Sequence, residues 1–353
     1  MICFPRKLVS CLLTALSAVY LLGPIGWEPI WAQANIQIEQ DAALLNQQRF
    51  REPGGWQWGR FTNHDRARIR YGHVSAKKTI GTVVVVTGFT EFAEVYFELI
   101  RDLINHGYDV WAMDWHGEGG SDRYLVDRER AYSLGFDHDV ADLNQFVSTI
   151  LTEKKRPLIL VAHSLGSNVA LRYLHDHPQS VDMAVLSAPA LSVPRQNEIL
   201  LRAVTWIKCA TGKGDEYLDR QGNWATTEPK VSKMPTHSHD PQRVRLEAAW
   251  ANANPELRSG GATWKWLQEY DKSCQTIDDP NYLKAITTPI LIGSPSADLI
   301  ADSAKQSTLS RQLPAATLYL GEGARHELFL ESDKYRDPWM KAIYAFIRGH
   351  GKK

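Results

Sequence analysis

The chain has 353 residues, 44% of them hydrophobic and 23% charged, an ordinary globular balance that suits one large domain with an insertion, or two small ones. Its 40 basic and 40 acidic residues leave no net charge. No basic block is interleaved with aromatics, which sets nucleic acid aside as a partner.

Residues 1–34 stand apart from the rest. Arg6 and Lys7 precede a mainly apolar run, Leu8 to Leu22, followed by Gly23-Pro24 and Ala32-Gln33-Ala34. A positive head, a short apolar stretch and an A-x-A site describe a secretory signal peptide, with cleavage expected after Ala34 and a periplasmic or secreted mature chain. The run is short for a membrane span. The alternative is an uncleaved N-terminal membrane anchor, since the segment after Leu22 is long and carries Trp27 and Trp31. The lipoprotein-like Leu8-Val9-Ser10-Cys11 precedes the apolar run instead of following it and is read as chance. Removing the leader removes Cys3 and Cys11 and leaves Cys209 and Cys274. An oxidising compartment permits a disulfide between them, and that pairing is expected ahead of two buried free thiols.

In chain order, residues 35–55 are polar, with Arg51-Glu-Pro-Gly-Gly55 as a lead-in loop. Trp56–Phe61 and Arg68–Val74 are expected as two exposed strands joined through Asn63-His64-Asp65. Thr82–Thr87 is the first fully buried strand, followed by Gly88-Phe89-Thr90. From Glu91, the apolar residues Phe92, Val95, Tyr96, Leu99 and Leu103 recur at helical spacing until Asn105-His-Gly107. Val110–Met113 is the next strand, ending in Asp114-Trp-His-Gly-Glu-Gly-Gly-Ser-Asp122. A helix is expected over 137–151, and strands at Leu158–Val161 and Val181–Leu186. This alternation means a doubly wound, mostly parallel sheet.

The rhythm breaks at about Ala190 and resumes after Tyr282. The intervening stretch holds Trp206, Trp224, Trp250, Trp264 and Trp266. Strands return at Pro289–Gly293 and Ala316–Leu320, and a helix closes the chain over 332–348. The expected organisation is therefore a leader over 1–34, core over 35–189, a helical cap insertion over 190–285 and core again over 286–353. An insertion after the strand near 181–187 sits where a cap would cover a site at the strand ends.

The stretch that organises all this is Leu158-Ile-Leu-Val-Ala-His-Ser-Leu-Gly166. A buried strand runs into a helix across Ala162-His163-Ser164-Leu165-Gly166, the nucleophile-elbow pattern with Ala in place of its first Gly. A sharp strand-to-helix turn lifts the Ser164 hydroxyl clear of the sheet, and the helix N-terminus beneath it favours developing negative charge. An activated serine needs a base, and the base an acid, in the chain order Ser, acid, His. Asp298 follows the Pro289–Gly293 strand and His326 follows Ala316–Leu320. Asp302 is the second choice for the acid. Asp114 precedes Ser164 and reads as a carboxylate that fixes a loop. His163 is expected to pack or orient the elbow, and His237, His239 and His350 have surface or packing readings. Leu165 N–H and the Phe89 N–H are the expected oxyanion donors. No metal motif or phosphate-binding loop is present, so neither a metal nor a cofactor is expected.

These residues make the chain resemble the serine hydrolases of the α/β-hydrolase fold, in particular the lysophospholipase L2 and monoacylglycerol lipase group. The resemblance runs from about Thr82 to Arg348 and rests on Thr87-Gly-Phe-Thr-Glu-Phe92, Asp114 to Asp122, Ala162-His-Ser-Leu-Gly166, Ser296-Ala-Asp298 and Arg325-His-Glu-Leu328. Asn254-Pro-Glu-Leu-Arg-Ser-Gly-Gly-Ala-Thr-Trp264 is similar to the cap of lysophospholipase L2. The chain departs from the group at Ser167, where a second Gly is usual, and in its leader. The resemblance implies a carboxylic ester hydrolase acting on a single-chain lipid, a lysophospholipid or monoacylglycerol, with contact to a membrane surface for access. A short-chain esterase, a proline-type aminopeptidase and a non-catalytic binding protein are the rival readings.

Overall fold

Uninterrupted apolar runs such as Val83–Val86 can be buried only between two layers of helices. The computed structural model, which describes residues 30–152, 154–193, 198–227 and 234–351, uses them in that way. Eight strands form one sheet: β1 (Gln57–Thr62), β2 (Arg68–Val74), β3 (Gly81–Val86), β4 (Tyr108–Met113), β5 (Leu158–His163), β6 (Met183–Ser187), β7 (Ile290–Pro295) and β8 (Ala316–Gly321). Their order is β1-β2-β4-β3-β5-β6-β7-β8. The β1–β2 and β2–β4 pairs are antiparallel and the remaining pairs parallel. From β3 to β7, every residue of every strand is buried.

The described helices are α1 (Ile30–Leu45), α2 (Phe97–Asn105), α3 (Phe136–Gln145), α4 (Ser164–Asp176), α5 (Glu198–Ala210), α6 (Trp224–Thr227), α7 (Met234–His237), α8 (Leu246–Ala253), α9 (Trp264–Ile277), α10 (Pro280–Lys284), α11 (Ser303–Gln312) and α12 (Asp333–His350). Because side chains alternate across a strand, β3 divides its valines between two cores. Val84 and Val86 pack with Leu143 of α3, Val169 of α4 and Leu267 of α9. Val83 and Val85 pack with Leu103 of α2 and with Trp339 and Ile343 of α12. Each fully buried aliphatic side chain contributes about 1.5–3 kcal/mol, so these two layers fix the sheet. This is the α/β-hydrolase arrangement.

Helices α5 to α10 lie between β6 and β7 in the chain. Arg243, just before α8, ties this segment to the core: its guanidinium is buried, bonds both oxygens of Glu98 on α2 at 2.7 and 2.8 Å, and reaches Asp333 of α12 at 2.7 Å. On the other side Ser273 of α9 donates to Asn168 of α4 at 2.6 Å. Among the described residues, no helix is long and apolar enough to cross a membrane.

Two expectations need correction: β2, expected to be exposed, is largely buried, with Ile69, Arg70, Gly72 and Val74 inside because it pairs with β4, and the expected disulfide is absent among the described residues. Cys209 and Cys274 are free thiols. Cys274, on α9, is buried with its sulfur 3.7 Å from Asn168 Nδ2, whereas the sulfur of half-exposed Cys209, on α5, lies against Gly214. Arg51–Gly55 is the expected lead-in loop, and the polar stretch before it is helical as far as Leu45. Leu44 of α1 is buried, and the Asp41 carboxylate accepts from Arg245 at 2.5 Å and Asn252 at 3.0 Å. Apart from residues 30–34, which form the start of α1, the leader expected over 1–34 lies outside the described residues.

Candidate active site

The elbow follows from three local features. Ala162 is fully buried between Val86 of β3 and Leu186 of β6, where a larger side chain would crowd the sheet. Ser164 takes a left-handed backbone conformation, φ +48°, a strain accepted where the chain turns abruptly from strand to helix. Gly166 then brings α4 against the end of β3, its Cβ position only 2.4 Å from Thr87 O. The hydroxyl of Ser164 is thereby held at the C-terminal edge of the sheet, over the first turn of α4.

The ends of β7 and β8 bring two further groups to that hydroxyl. His326 Nε2 lies 2.9 Å from Ser164 Oγ, and His326 Nδ1 lies 2.9 Å from Asp298 Oδ2. The Asp298 side chain is fully buried, and its other oxygen accepts from Ile300 N–H at 2.8 Å and Ala301 N–H at 2.9 Å. A carboxylate on Nδ1 fixes the proton there and leaves Nε2 as the acceptor facing the serine. Asp302 is occupied otherwise, capping α11 by accepting from Ala304 N–H at 2.9 Å and Lys305 N–H at 3.0 Å. Asp114 braces the loops around it, accepting from Ala93 N–H at 2.9 Å, Gly120 N–H at 2.8 Å and Arg70 Nε at 2.6 Å.

The loop after β3 faces Ser164 across a cavity of about 420 Å³. Gly88 N–H is taken by Glu91 at 2.6 Å and Thr90 N–H by Glu118 at 3.1 Å. Phe89 N–H lies between them, with no acceptor among the described residues. Leu165 N–H belongs to the first turn of α4, where helix donors lack intrahelical partners. Two donors in these places can stabilise an oxyanion on an acyl carbon held at Ser164. The Phe89 ring is buttressed by Trp266, their centroids 4.3 Å apart.

Beneath the elbow lies a buried polar cluster. His163 Nε2 is 3.0 Å from Glu327 Oε2. Burial disfavours charge on both, but each compensates the other: the imidazole, beside Glu327 and Glu91, is raised to about 9, and the Glu327 carboxyl is lowered to about 2. Burial, with Glu327 nearby, pushes the Glu91 carboxyl up to about 8, so it is neutral at pH 7. It accepts from Gly88 N–H and from the Tyr96 hydroxyl, bracing the loop that carries Phe89.

His237 was assigned a surface or packing place by sequence, yet it lines the cavity, its ring 6.3 Å from that of His326. Trp224, Gln221, Glu247 and Gly260 complete the opposite wall, all from the segment between β6 and β7. His239 instead pairs with Glu331 at 2.7 Å, and His350 bonds Phe346 O at the chain end. No periodicity marks His237; only the return of α7 over the strand ends brings it here.

Comparison with known proteins agrees with this arrangement. The family described as "Serine aminopeptidase, S33" (Hydrolase_4) matches residues 77–333. Lysophospholipase L2 of Escherichia coli K12 is 27% identical over 305 residues, covering 82% of this chain and 87% of that protein. Monoglyceride lipase of Saccharomyces cerevisiae is 25% identical over 276 residues, covering 72% and 80%. A soluble variant of that yeast lipase, solved with a substrate analog, superposes with a TM-score of 0.67 at 20% identity, over 84% of this chain and 95% of that one. A thermostable carboxyl esterase from Bacillus coagulans gives 0.68 at 21% identity, over 84% and 99%. The chain belongs to the Hydrolase_4 family, and is a serine hydrolase of the α/β-hydrolase fold with relatives named lysophospholipase and monoglyceride lipase.

Proposed function

We propose that the protein hydrolyses the carboxylic ester of a single-chain lipid, a lysophospholipid or a monoacylglycerol, through an acyl-enzyme on Ser164. The observation that carries this reading is the unbroken line from Ser164 Oγ through His326 to Asp298, opening on a cavity. Ser164 Oγ attacks the acyl carbon as its proton passes to His326 Nε2, and Asp298 stabilises the imidazolium. Phe89 and Leu165 N–H groups hold the oxyanion. As the tetrahedral species collapses, His326 returns the proton to the departing alcohol. Water then adds to the acyl-enzyme, again through His326, and releases the fatty acid with Ser164 restored.

The lipid substrate is supported by the names of the relatives and by a wall that pairs Phe89 and Trp224 with Gln221, His237 and Glu247, which suits an amphiphile. Contact with a lipid surface is supported by α5, which exposes Ile199, Leu200, Trp206 and Ile207. Export, proposed from Arg6 to Ala34, would place the enzyme beside such a surface outside the cytoplasm.

The test is fatty-acid release from lysophosphatidylcholine and from monoacylglycerol, with Ser164→Ala alongside. Release that disappears in the variant is the expected result. Turnover confined to short-chain esters or to an N-terminal proline amide would overturn the lipid reading. Equal release by both proteins would overturn the mechanism.

A further inference from the structure

Far from Ser164 in sequence and role, three ligating side chains converge at the β1–β2 turn. His64 and Asp65 come from the turn itself, and His138 from the first turn of α3. His64 Nε2 lies 3.2 Å from His138 Nδ1, and their rings stack with centroids 5.1 Å apart. Asp65 Oδ2 lies 2.7 Å from the same His138 Nδ1, and Asp65 Oδ1 lies 3.4 Å from His64 Nε2.

Protons serve this triangle only by sharing: a single N–H on His138 Nδ1 faces both Asp65 at 2.7 Å and the His64 Nε2 lone pair at 3.2 Å. If both histidines donate to Asp65, their two N–H groups meet head-on. If His138 Nδ1 accepts from His64, its lone pair faces a carboxylate oxygen at 2.7 Å. A cation between the two ring nitrogens and the Asp65 carboxylate removes the conflict, because each of the three groups then offers a lone pair. The 3.2 Å between the two ring nitrogens also suits one ion, since ligands about 2.0–2.1 Å from a tetrahedral metal are separated by about 3.3 Å, and the Asp65 oxygens, at 2.7 and 3.4 Å from those nitrogens, bracket that separation.

A second observation points to the same place. The Asp142 side chain is fully buried, and its Oδ1 has no hydrogen-bond partner. That oxygen lies 3.7 Å from His64 Nδ1, the ring nitrogen facing away from the triangle, while Oδ2 is held by Asn63 at 3.0 Å. A carboxylate behind a metal-bound histidine, on its second nitrogen, is the usual outer support of an imidazole ligand.

We propose that His64, His138 and Asp65 form a binding site for a zinc-like divalent transition metal, with Asp142 orienting His64 and water completing the coordination. The ion ties the β1–β2 turn to α3 at the edge of the sheet. Its role is structural, since neither element supplies a group to the Ser164 cavity.

The test is titration of the untagged, chelator-stripped full chain with Zn²⁺, by calorimetry and thermal unfolding, with Mg²⁺ as a hard-cation control. The expected result is one Zn²⁺ per chain at micromolar affinity or tighter, a higher Tm with Zn²⁺ and no response to Mg²⁺. His138→Ala should abolish this binding, and Asp142→Asn should weaken it about 10–100-fold. Both variants should retain ester hydrolysis, which shows that they fold. Equal Zn²⁺ binding by His138→Ala, or no binding by the unaltered chain, would overturn the proposal. So would a single Zn²⁺ that inhibits hydrolysis and survives in that variant, which would place the ion at His163, His326 and Glu327.

Discussion

Replacing Gly166 by alanine tests how the nucleophile is held. The added Cβ would stand 2.4 Å from Thr87 O and 2.9 Å from Val86 O, both backbone atoms at the end of β3, whereas ordinary contact begins at 3.4 Å. Thr87 O cannot easily give way, because Trp115 Nε1 donates to it at 3.0 Å. The start of α4 must therefore retreat by about 1 Å, at an overpacking cost of about 1–3 kcal/mol. For a chain of 353 residues that lowers Tm by about 1–4 °C. The same displacement moves Ser164 Oγ away from His326 Nε2 and Leu165 N–H away from the oxyanion, and misplacement by about 1 Å costs about 100-fold in rate. Differential scanning calorimetry and kcat on a chromogenic ester measure both effects, with Gly54→Ala as control, since a methyl there meets nothing within 4 Å. A Gly166→Ala protein with unchanged Tm and kcat would refute this account of the elbow.

Three further perturbations separate the roles assigned above. Asp298→Asn should lower kcat by about 10⁴-fold, while Asp302→Ala should leave kcat intact and cost about 1 kcal/mol through a lost helix cap, measured by denaturant unfolding; the reverse pattern would exchange their roles. The folded chain keeps a proton on Glu91 from about pH 4.5 up to about 8, and on His163 from about 6.5 up to about 9, that the unfolded chain has lost, so stability falls as pH rises through both windows. Glu327, held at about 2, adds stability above pH 4.5 that is lost only as pH falls toward 2. Glu91→Gln, a neutral isostere that can still accept from Gly88 N–H, should flatten the alkaline decline in Tm and keep kcat at pH 7 within about threefold; a decline as steep as the parent's would assign it to other groups. Arg243→Leu leaves the largely buried Glu98 carboxylate without its bidentate guanidinium and should cost about 3–5 kcal/mol in denaturant unfolding. A loss below 1 kcal/mol would mean that the segment over the site is anchored elsewhere.

The strands were legible because β3 to β7 are buried on both faces and so read as unbroken apolar runs. Ser164 and His326 were legible because the chemistry constrains both residue type and place: one at a strand-to-helix turn, the other in the loop after a late strand. Asp298 and Asp302 were harder to separate, since both lie past β7 and differ only in whether the carboxylate turns toward His326 or caps α11. What escaped the sequence was whatever depended on the packing of distant segments. His237 and the turn at His64 and Asp65 carry no local signal, because their partners arrive from α12's approach loop and from α3. The expected disulfide rested on compartment and on two cysteines sharing an insertion, neither of which fixes the direction of a side chain; Cys209 faces Gly214 and Cys274 faces Asn168. Among the described side chains of α1, Leu44 and Leu45 pack on the core and Asp41 holds Arg245 and Asn252, while Ile38 is exposed, so the packed face is partly polar and shows no clean apolar stripe.

The central claim, that Ser164 is the activated nucleophile, is tested most directly by reaction with a fluorophosphonate followed by peptide mass spectrometry. The account predicts one adduct per chain, on the peptide containing Ser164, absent from Ser164→Ala and slowed at least about 1,000-fold in His326→Ala. An adduct on another residue, or none on folded protein that still hydrolyses ester, would contradict it.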